Sequence, residues 1–499
     1  MLSTHMIKGE TDHMKKLTLT LSAVTVAATV LAGCGGGDNG ENSSAGTNAG
    51  TNASANSGTN ASSNADSNAN TSASGNNAGS KASGEVVTIR TSITDGELSK
   101  DQIAEFEKDH PNIKIQLEAL DATKLAAELA TGDAPDVIRM SGVFDLPGYV
   151  IKGIAMDLSD RIANSSVIKS DDLLPIADIY RFDGKTVGTG PIYGLPKDWS
   201  NDYAIFYNKK AFDAAGVPLP DSSKPMTWPE VIDLAKKLTI KDGKTVKQYG
   251  LSATEWGKTE PNFNNMLQYL LSAGVNMNGD NNGSIDLNKP AAKDYLNMWV
   301  QAVKDGIGPN SINNDQTSGG DLFLSDKAAM IIDGYWYSGA IRSNEKSKTH
   351  LDDYGMLPTP TAPGGTRVAP TGGATGAIIN KETKHPEEAW TFYEWFFGGK
   401  PADDRAKTGW GLPVFKSKMD LLPKETAFDK QVNQVLQDEL QYTSQYLQTN
   451  PYLSSGGWPI FDKYAAPLYF GKSTVEDAIT GMTKDANVVI TEAMSAAGQ

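Results

Sequence analysis

Between residues 86 and 138 two hydrophobic periods alternate, and that alternation restricts the fold more than any other feature of the chain. Val86, Val87, Thr88 and Ile89 read as a strand, and residues 98–110 as a helix with Ile103 and Phe106 on one face. Pro111 stops that helix, because the residue before a proline disfavours the helical region. Ile113, Ile115 and Leu117 alternate as a half-buried strand, Leu125 and Leu129 make the next helical stripe, and Val137 and Ile138 begin a third strand. Strands that alternate with helices favour a mostly parallel sheet with helices on both faces. Ligands of such sheets sit outside the carboxyl ends of the strands. That makes Thr94, Asp95, Arg139, Met140, Ser141 and Asp145 cleft candidates, each set against an ordinary loop role.

Residues 191–220 carry the second constraint. Gly194-Leu195-Pro196 closes a strand, since proline cannot donate to a sheet ladder. Ala204, Ile205, Phe206 and Tyr207 are apolar and few enough for an inner strand. Between them lie Lys197, Asp198 and Trp199, either a solvated turn with one anchoring Trp or a hinge bearing ligand contacts on a loop held by rigid elements. Farther on, Thr227 caps a helix with Glu230 reaching back, and Val231, Leu234, Ala235 and Leu238 form its buried stripe, which reads Trp228 as core. Residues 329–332 form a buried strand, and Gly334 turns the chain so that Trp336 falls near a helix N-terminus. Trp390 and Trp395 belong to the wide apolar face of a helix ended by Gly398-Gly399.

The N-terminal region has a different character. Met14-Lys15-Lys16 followed by the apolar run 17–31 reads as a signal peptide, too short for a membrane span of about 20 residues. Initiation at Met14 is expected, with residues 1–13 a non-native or mis-started extension. Leu31-Ala32-Gly33-Cys34 matches the bacterial lipobox and holds the single cysteine of the chain, so Cys34 is the expected lipidation site. Residues 35–84 contain only Gly, Ala, Ser, Thr and Asn apart from Asp38, Glu41, Asp66 and Lys81. Such a segment cannot bury enough apolar surface to fold, and reads as a flexible tether spanning on the order of 40 Å.

The remaining residues, 85–499, are long enough for two or three domains. A net charge of −15 argues against a nucleic-acid partner. With its one cysteine assigned to the anchor, the chain has no internal disulfide. The five histidines show no zinc spacing. Residues 278–289 superficially suggest a calcium loop but end in Lys289 where that loop needs Glu. No metal and no cofactor is expected.

Several of these stretches resemble the extracellular solute-binding proteins of ABC importers, specifically the maltose-binding-protein-like family. The matching elements are Gly194-Leu195-Pro196, Tyr207-Asn208-Lys209, Ala215-Gly216-Val217, the junction 130–138, the block 322–336, Tyr354-Gly355, Gly372-Gly373, the loop 409–413 and the final helix from Gly471. The helix start Thr227-Trp228-Pro229-Glu230 departs from the family in having Pro where an acid is usual. The resemblance implies an α/β, two-lobed periplasmic-binding-protein-like fold of type II. Each lobe would be a mostly parallel sheet flanked by helices, joined by hinge crossings. Lobe 1 would span about 85–197 and 374–420, and lobe 2 about 200–370 and 425–499.

It further implies a receptor that binds a carbohydrate, with an oligosaccharide preferred, and delivers it to the membrane permease subunits of an ABC transporter. The protein would be a monomer, held by its lipid on the outer face of the bacterial cytoplasmic membrane, and not an enzyme. Trp228, Trp299, Trp390 and Trp395 lie in helical patterns, whereas Trp199, Trp256, Trp336, Trp410 and Trp458 lie on loops or element ends expected at the cleft. Trp458 corresponds by position to a sugar-stacking aromatic of the family. Asp198, Asp333, Glu255 and Glu260 are the candidate hydroxyl acceptors, and Asp95, Ser141, Tyr335 and Gly373 complete the expected lining. A surface glycoside hydrolase, an adhesive scaffold and a receptor for a non-sugar solute are the competing readings.

Overall fold

The computed structural model describes residues 85–253, 260, 262–313, 317–443, 447 and 450–498. The leader, Cys34, the tether, Glu255 and Trp256 lie outside the described residues. Two sheets organise the folded part. The first has five strands in the order Ile113–Leu117, Val87–Thr91, Val137–Met140, Gly376–Ile379 and Gly194–Pro196. The second has Ile205–Asn208 at its centre, between Met330–Ile332 and Tyr354–Leu357.

The alternating N-terminal segment forms the parallel half of the first sheet, with Val87 opposite Ile113 and Thr91 opposite Val137. The other half is antiparallel: Gly376 faces Met140 on one side and Pro196 on the other. Both pairings of the three-stranded sheet are antiparallel too, extended by parallel bridges from Tyr249 to Ala328 and from Ser252 to Ile331. The sheets are therefore mixed rather than mostly parallel. Residues 194–196 lead out of the first sheet and residues 376–379 lead back into it, so the outgoing and returning strands run in opposite directions side by side. Pro196 sits in the edge strand, where its missing N–H costs no ladder bond.

Helices cover each sheet through contacts legible in their sequence. Lys100–Asp109 begins with a capping box between Ser99 and Gln102 and buries Phe106 against Phe392 of the helix Pro386–Gly398. Tyr393 of that same helix donates its hydroxyl to the Ala377 carbonyl at 3.0 Å. On the second sheet, Gln431 of Ala427–Glu439 exchanges two 2.8 Å bonds with the Met356 backbone. The capping box of Thr227 and Glu230 starts Trp228–Leu238. Trp228 and Trp299 are fully buried with ring centroids 5.8 Å apart, and the Trp228 indole N–H donates to Gln268 at 2.9 Å. Trp390 and Trp395 are half-buried, the latter against Phe106.

Candidate ligand-binding site

Two chain crossings, residues 197–204 and 358–375, join the sheets, and a cavity of about 1130 Å³ opens beside them. Its walls come from the carboxyl ends of the first sheet's strands, from both crossings, and from the turns after Met330–Ile332 and Lys400–Thr408. A neighbouring cavity of about 1040 Å³ shares Thr94, Arg139, Ser141 and Asp145 with it.

Of the residues expected in the cleft, Ser141, Asp198, Trp199, Asp333, Trp336, Gly373, Trp410 and Trp458 line the main cavity, and Asp95 lines the neighbouring one. Trp336 and Trp410 stack nearly parallel, with centroids 6.0 Å apart and planes at 22°. Trp336 is half-buried, whereas Trp410 is 40 % exposed. Trp458 stands edge-on to Phe144 at 5.7 Å, and its indole N–H donates to Asn264 at 2.8 Å. Gly334 makes the Trp336 turn possible, because a Cβ there would lie 1.9 Å from the Ser200 hydroxyl.

Two expected residues lie elsewhere. Tyr335 is fully buried in the core, its hydroxyl 3.5 Å from Asn433, because the turn after Asp333 sends it inward and Trp336 toward the cavity. Glu260 is not part of the lining; its carboxylate accepts the Ser311 N–H at 2.5 Å. Trp199 reaches the cavity wall but is only 3 % exposed. Its backbone pairs with Leu412 and its indole N–H donates to Pro413 at 3.1 Å, so it anchors the first crossing to the 409–413 loop. Gly411, at φ +95°, permits that approach, since a Cβ there would meet the Asp198 Cβ at 2.7 Å.

Sequence patterns pointed to Arg139, Lys197 and Asp198 but not to Asp202 and Glu97, the two acids that hold this site together. Asp202 accepts from the Gly372 and Gly373 N–H groups at 2.7 and 2.8 Å, and from the Ser200 and Thr371 hydroxyls at 2.8 and 3.2 Å. It thereby ties one crossing to the other. Burial pushes its carboxyl above the usual carboxylate range, and those donors offset only part of the effect. Beside it Ala374 holds φ 46°, a left-handed backbone uncommon outside glycine.

Glu97 forms the second group. Its carboxylate accepts two bonds from the Arg139 guanidinium, at 2.6 and 2.9 Å, and lies 3.2 Å from Lys197. Lys197 also pairs with Asp198. Burial acts to raise the Glu97 pKa, but the Arg139 bonds and the Lys197 charge outweigh it and hold it at about 2. A carboxylate held below its ordinary value stabilises the fold above pH 4.5, and that contribution is lost as pH falls toward 2. The difference is on the order of 3 kcal/mol. Chemical melts between pH 5 and pH 2 should therefore show a steeper acid loss in the parent than in Glu97→Gln; parallel curves would deny Glu97 this role.

Two mixed sheets joined by paired crossings, with an aromatic and polar cavity at the seam, define a solute-binding protein. The chain belongs to the bacterial extracellular solute-binding protein family, whose model matches residues 90–401. A maltodextrin-binding protein of Bacillus subtilis, MdxE, is 27 % identical over 326 residues, covering 62 % of this chain and 69 % of that protein. An uncharacterized lipoprotein of Streptomyces antibioticus is 24 % identical over 413 residues, 76 % of this chain and 80 % of its own. Among solved structures, the ABC substrate-binding protein Lmo0181 of Listeria monocytogenes, in complex with cycloalternan, superposes with a TM-score of 0.65 at 22 % identity, over 82 % of this chain and 99 % of that one.

Proposed function

We propose that this protein is the receptor of an ABC importer, binding a carbohydrate, of oligosaccharide length, between two closing lobes and handing it to a membrane permease. The observation that carries the reading is the cavity itself: stacked Trp336 and Trp410 on one wall, carboxylates and amides around them, and room for more than one sugar ring. Sugar rings present apolar C–H faces to flat aromatics and hydroxyl edges to acceptors. The similar proteins named above for maltodextrin and cycloalternan support the same class of ligand. Lobe 1 comprises about 85–197 and 374–420, lobe 2 about 200–370 and 425–499. Asp95, Ser141, Asp198, Asp333, Trp336, Gly373, Trp410 and Trp458 form the contacts.

Binding proceeds without hydrolysis. A glycosidase needs a carboxyl whose pKa is raised so that it can protonate the leaving oxygen; here the Glu97 pKa is held low by its cations, and Asp202, which burial raises, is taken up by the Gly372 and Gly373 N–H groups and the Ser200 and Thr371 hydroxyls. Attachment is through lipid on Cys34, with the tether 35–84 carrying the folded part away from the outer face of the membrane. Changing Cys34 to Ala should release the protein from the membrane fraction, and an unmodified Cys34 in the intact mass of mature protein would defeat the anchor. For the ligand, a thermal-shift screen against a glycan panel should raise the melting temperature with at least one oligosaccharide and yield no new reducing ends. A panel with no shift, or a ligand that is cleaved, would refute the reading.

A further inference from the structure

We propose that Glu97 sets the charge specificity of the cleft: its carboxylate fills an anion-binding position built from Arg139, Lys197 and Thr94, so the site takes uncharged ligands and rejects phosphorylated or carboxylated ones. The inference rests on the cleft being the ligand site.

The donors around Glu97 are those a ligand phosphate would use. Arg139 presents its planar fork, Nε at 2.6 Å and Nη2 at 2.9 Å. Lys197 Nζ lies 3.2 Å from the same carboxylate. The Thr94 N–H and hydroxyl donate to it at 3.2 and 3.0 Å. A bidentate guanidinium with an ammonium and a backbone N–H is a strong oxyanion constellation. Here the protein's own side chain occupies it. The remaining Arg139 nitrogen, Nη1, donates to the Ser141 hydroxyl at 2.7 Å. Lys197 also pairs with Asp198, which leaves neither cation unmatched.

The third cation of the lining, Arg405, does not supply a substitute. Its Nη2 donates to the Phe396 carbonyl at 3.0 Å, its plane lies over the Phe396 ring, and its Nε and Nη1, though without a hydrogen-bond partner, are buried out of reach of a ligand in the cavity. The other titratable groups of the lining are the Tyr203 phenol and the carboxyls of Asp145, Asp202, Asp333 and Asp404. An incoming anion would meet repulsion from the carboxylates and find Arg139 and Lys197 already paired. A neutral ligand meets instead the hydrogen-bonding edges of a neutralised network.

Calorimetric titration of the full chain with inorganic phosphate at low salt tests this. The parent should give no saturable binding at millimolar phosphate. Glu97→Gln uncovers the cations, and should bind phosphate at least roughly tenfold more tightly than the parent, weakening as salt is added. Glu97→Asp keeps the charge and should stay blind to phosphate. Phosphate binding by the parent, or a folded Glu97→Gln variant that gains none, overturns the proposal. Should Glu97→Gln fail to fold, Glu97→Ala takes its place, since it vacates the same position; a phosphate gain supports the proposal and no gain overturns it. The glycan panel on the parent is a separate arm. A phosphate gain without any glycan ligand would sink the carbohydrate reading alone, and a glycan ligand without a phosphate gain would sink this one alone.

Discussion

Trp228→Ala is expected to lower the stability of the folded domain by roughly 3–5 kcal/mol and to leave ligand affinity nearly unchanged, whereas Trp336→Ala should do the reverse. Trp228 has no exposed surface, packs on Trp299, and satisfies its indole N–H through Gln268, which in turn donates to the Pro360 carbonyl at 2.8 Å. Truncating it leaves a cavity and an unpaired amide oxygen among fully buried side chains. Trp336 has a half-buried ring that faces the cavity and stacks on Trp410. Losing that stack costs about 1 kcal/mol of stability, while removing an aromatic platform at the centre of an interface costs about 2 kcal/mol of binding, roughly 30-fold in affinity. Urea melts without ligand and calorimetry with the best glycan of the panel measure the two halves. If Trp336→Ala binds as the parent does, the sugar does not lie on this wall.

What could be read in the sequence depended on whether local chemistry or distant partners decided the outcome. The capping box at Thr227, the buried stripe behind it and the strands around Ile113 and Phe206 are local patterns, and they form where periodicity placed them. The two-lobed α/β class was likewise legible through motifs at the crossings. Strand direction was not. Whether residues 376–379 pair parallel or antiparallel depends on a partner more than 200 residues away, and the βα alternation of residues 86–138 carries no information about a strand returning from the other sheet. Trp199 shows the same limit, since a Trp between two strands reads equally as platform or anchor until Pro413 is seen to accept its N–H. Tyr335 and Trp336 are adjacent in sequence, and only the turn at Gly334 decides which one faces the cavity. Asp202, Glu97 and the asparagines at 262, 264 and 265 left no periodic trace, because each acts through partners that are close only in the folded chain.

Asp202→Ala should destabilise the protein by roughly 2–4 kcal/mol and also loosen the hinge, an outcome that no core truncation shares. The side chain contributes no apolar packing of note; it works as an acceptor. Removing it leaves the Gly372 and Gly373 N–H groups and the Ser200 and Thr371 hydroxyls without their partner, and Gly372 is buried. Water entering from the cavity can satisfy some of these donors, which keeps the loss below the sum of four unmade bonds. The same bonds fix residues 370–374 against residues 200–203, so their loss frees the two backbone segments about which the proposed lobe closure would turn. Asp202→Asn is the informative partner variant. It lifts the burden of an ionised group in a desolvating position, yet points an amide N–H at donors, so it should lie between the parent and Ala in stability. Small-angle scattering with and without a saturating glycan reads the hinge. The parent should compact on binding, and Asp202→Ala should show a larger radius without ligand or a weaker compaction with it. An Asp202→Ala protein within about 1 kcal/mol of the parent, with an unchanged scattering response, would mean that the crossings are held by their strand pairing and not by this carboxylate.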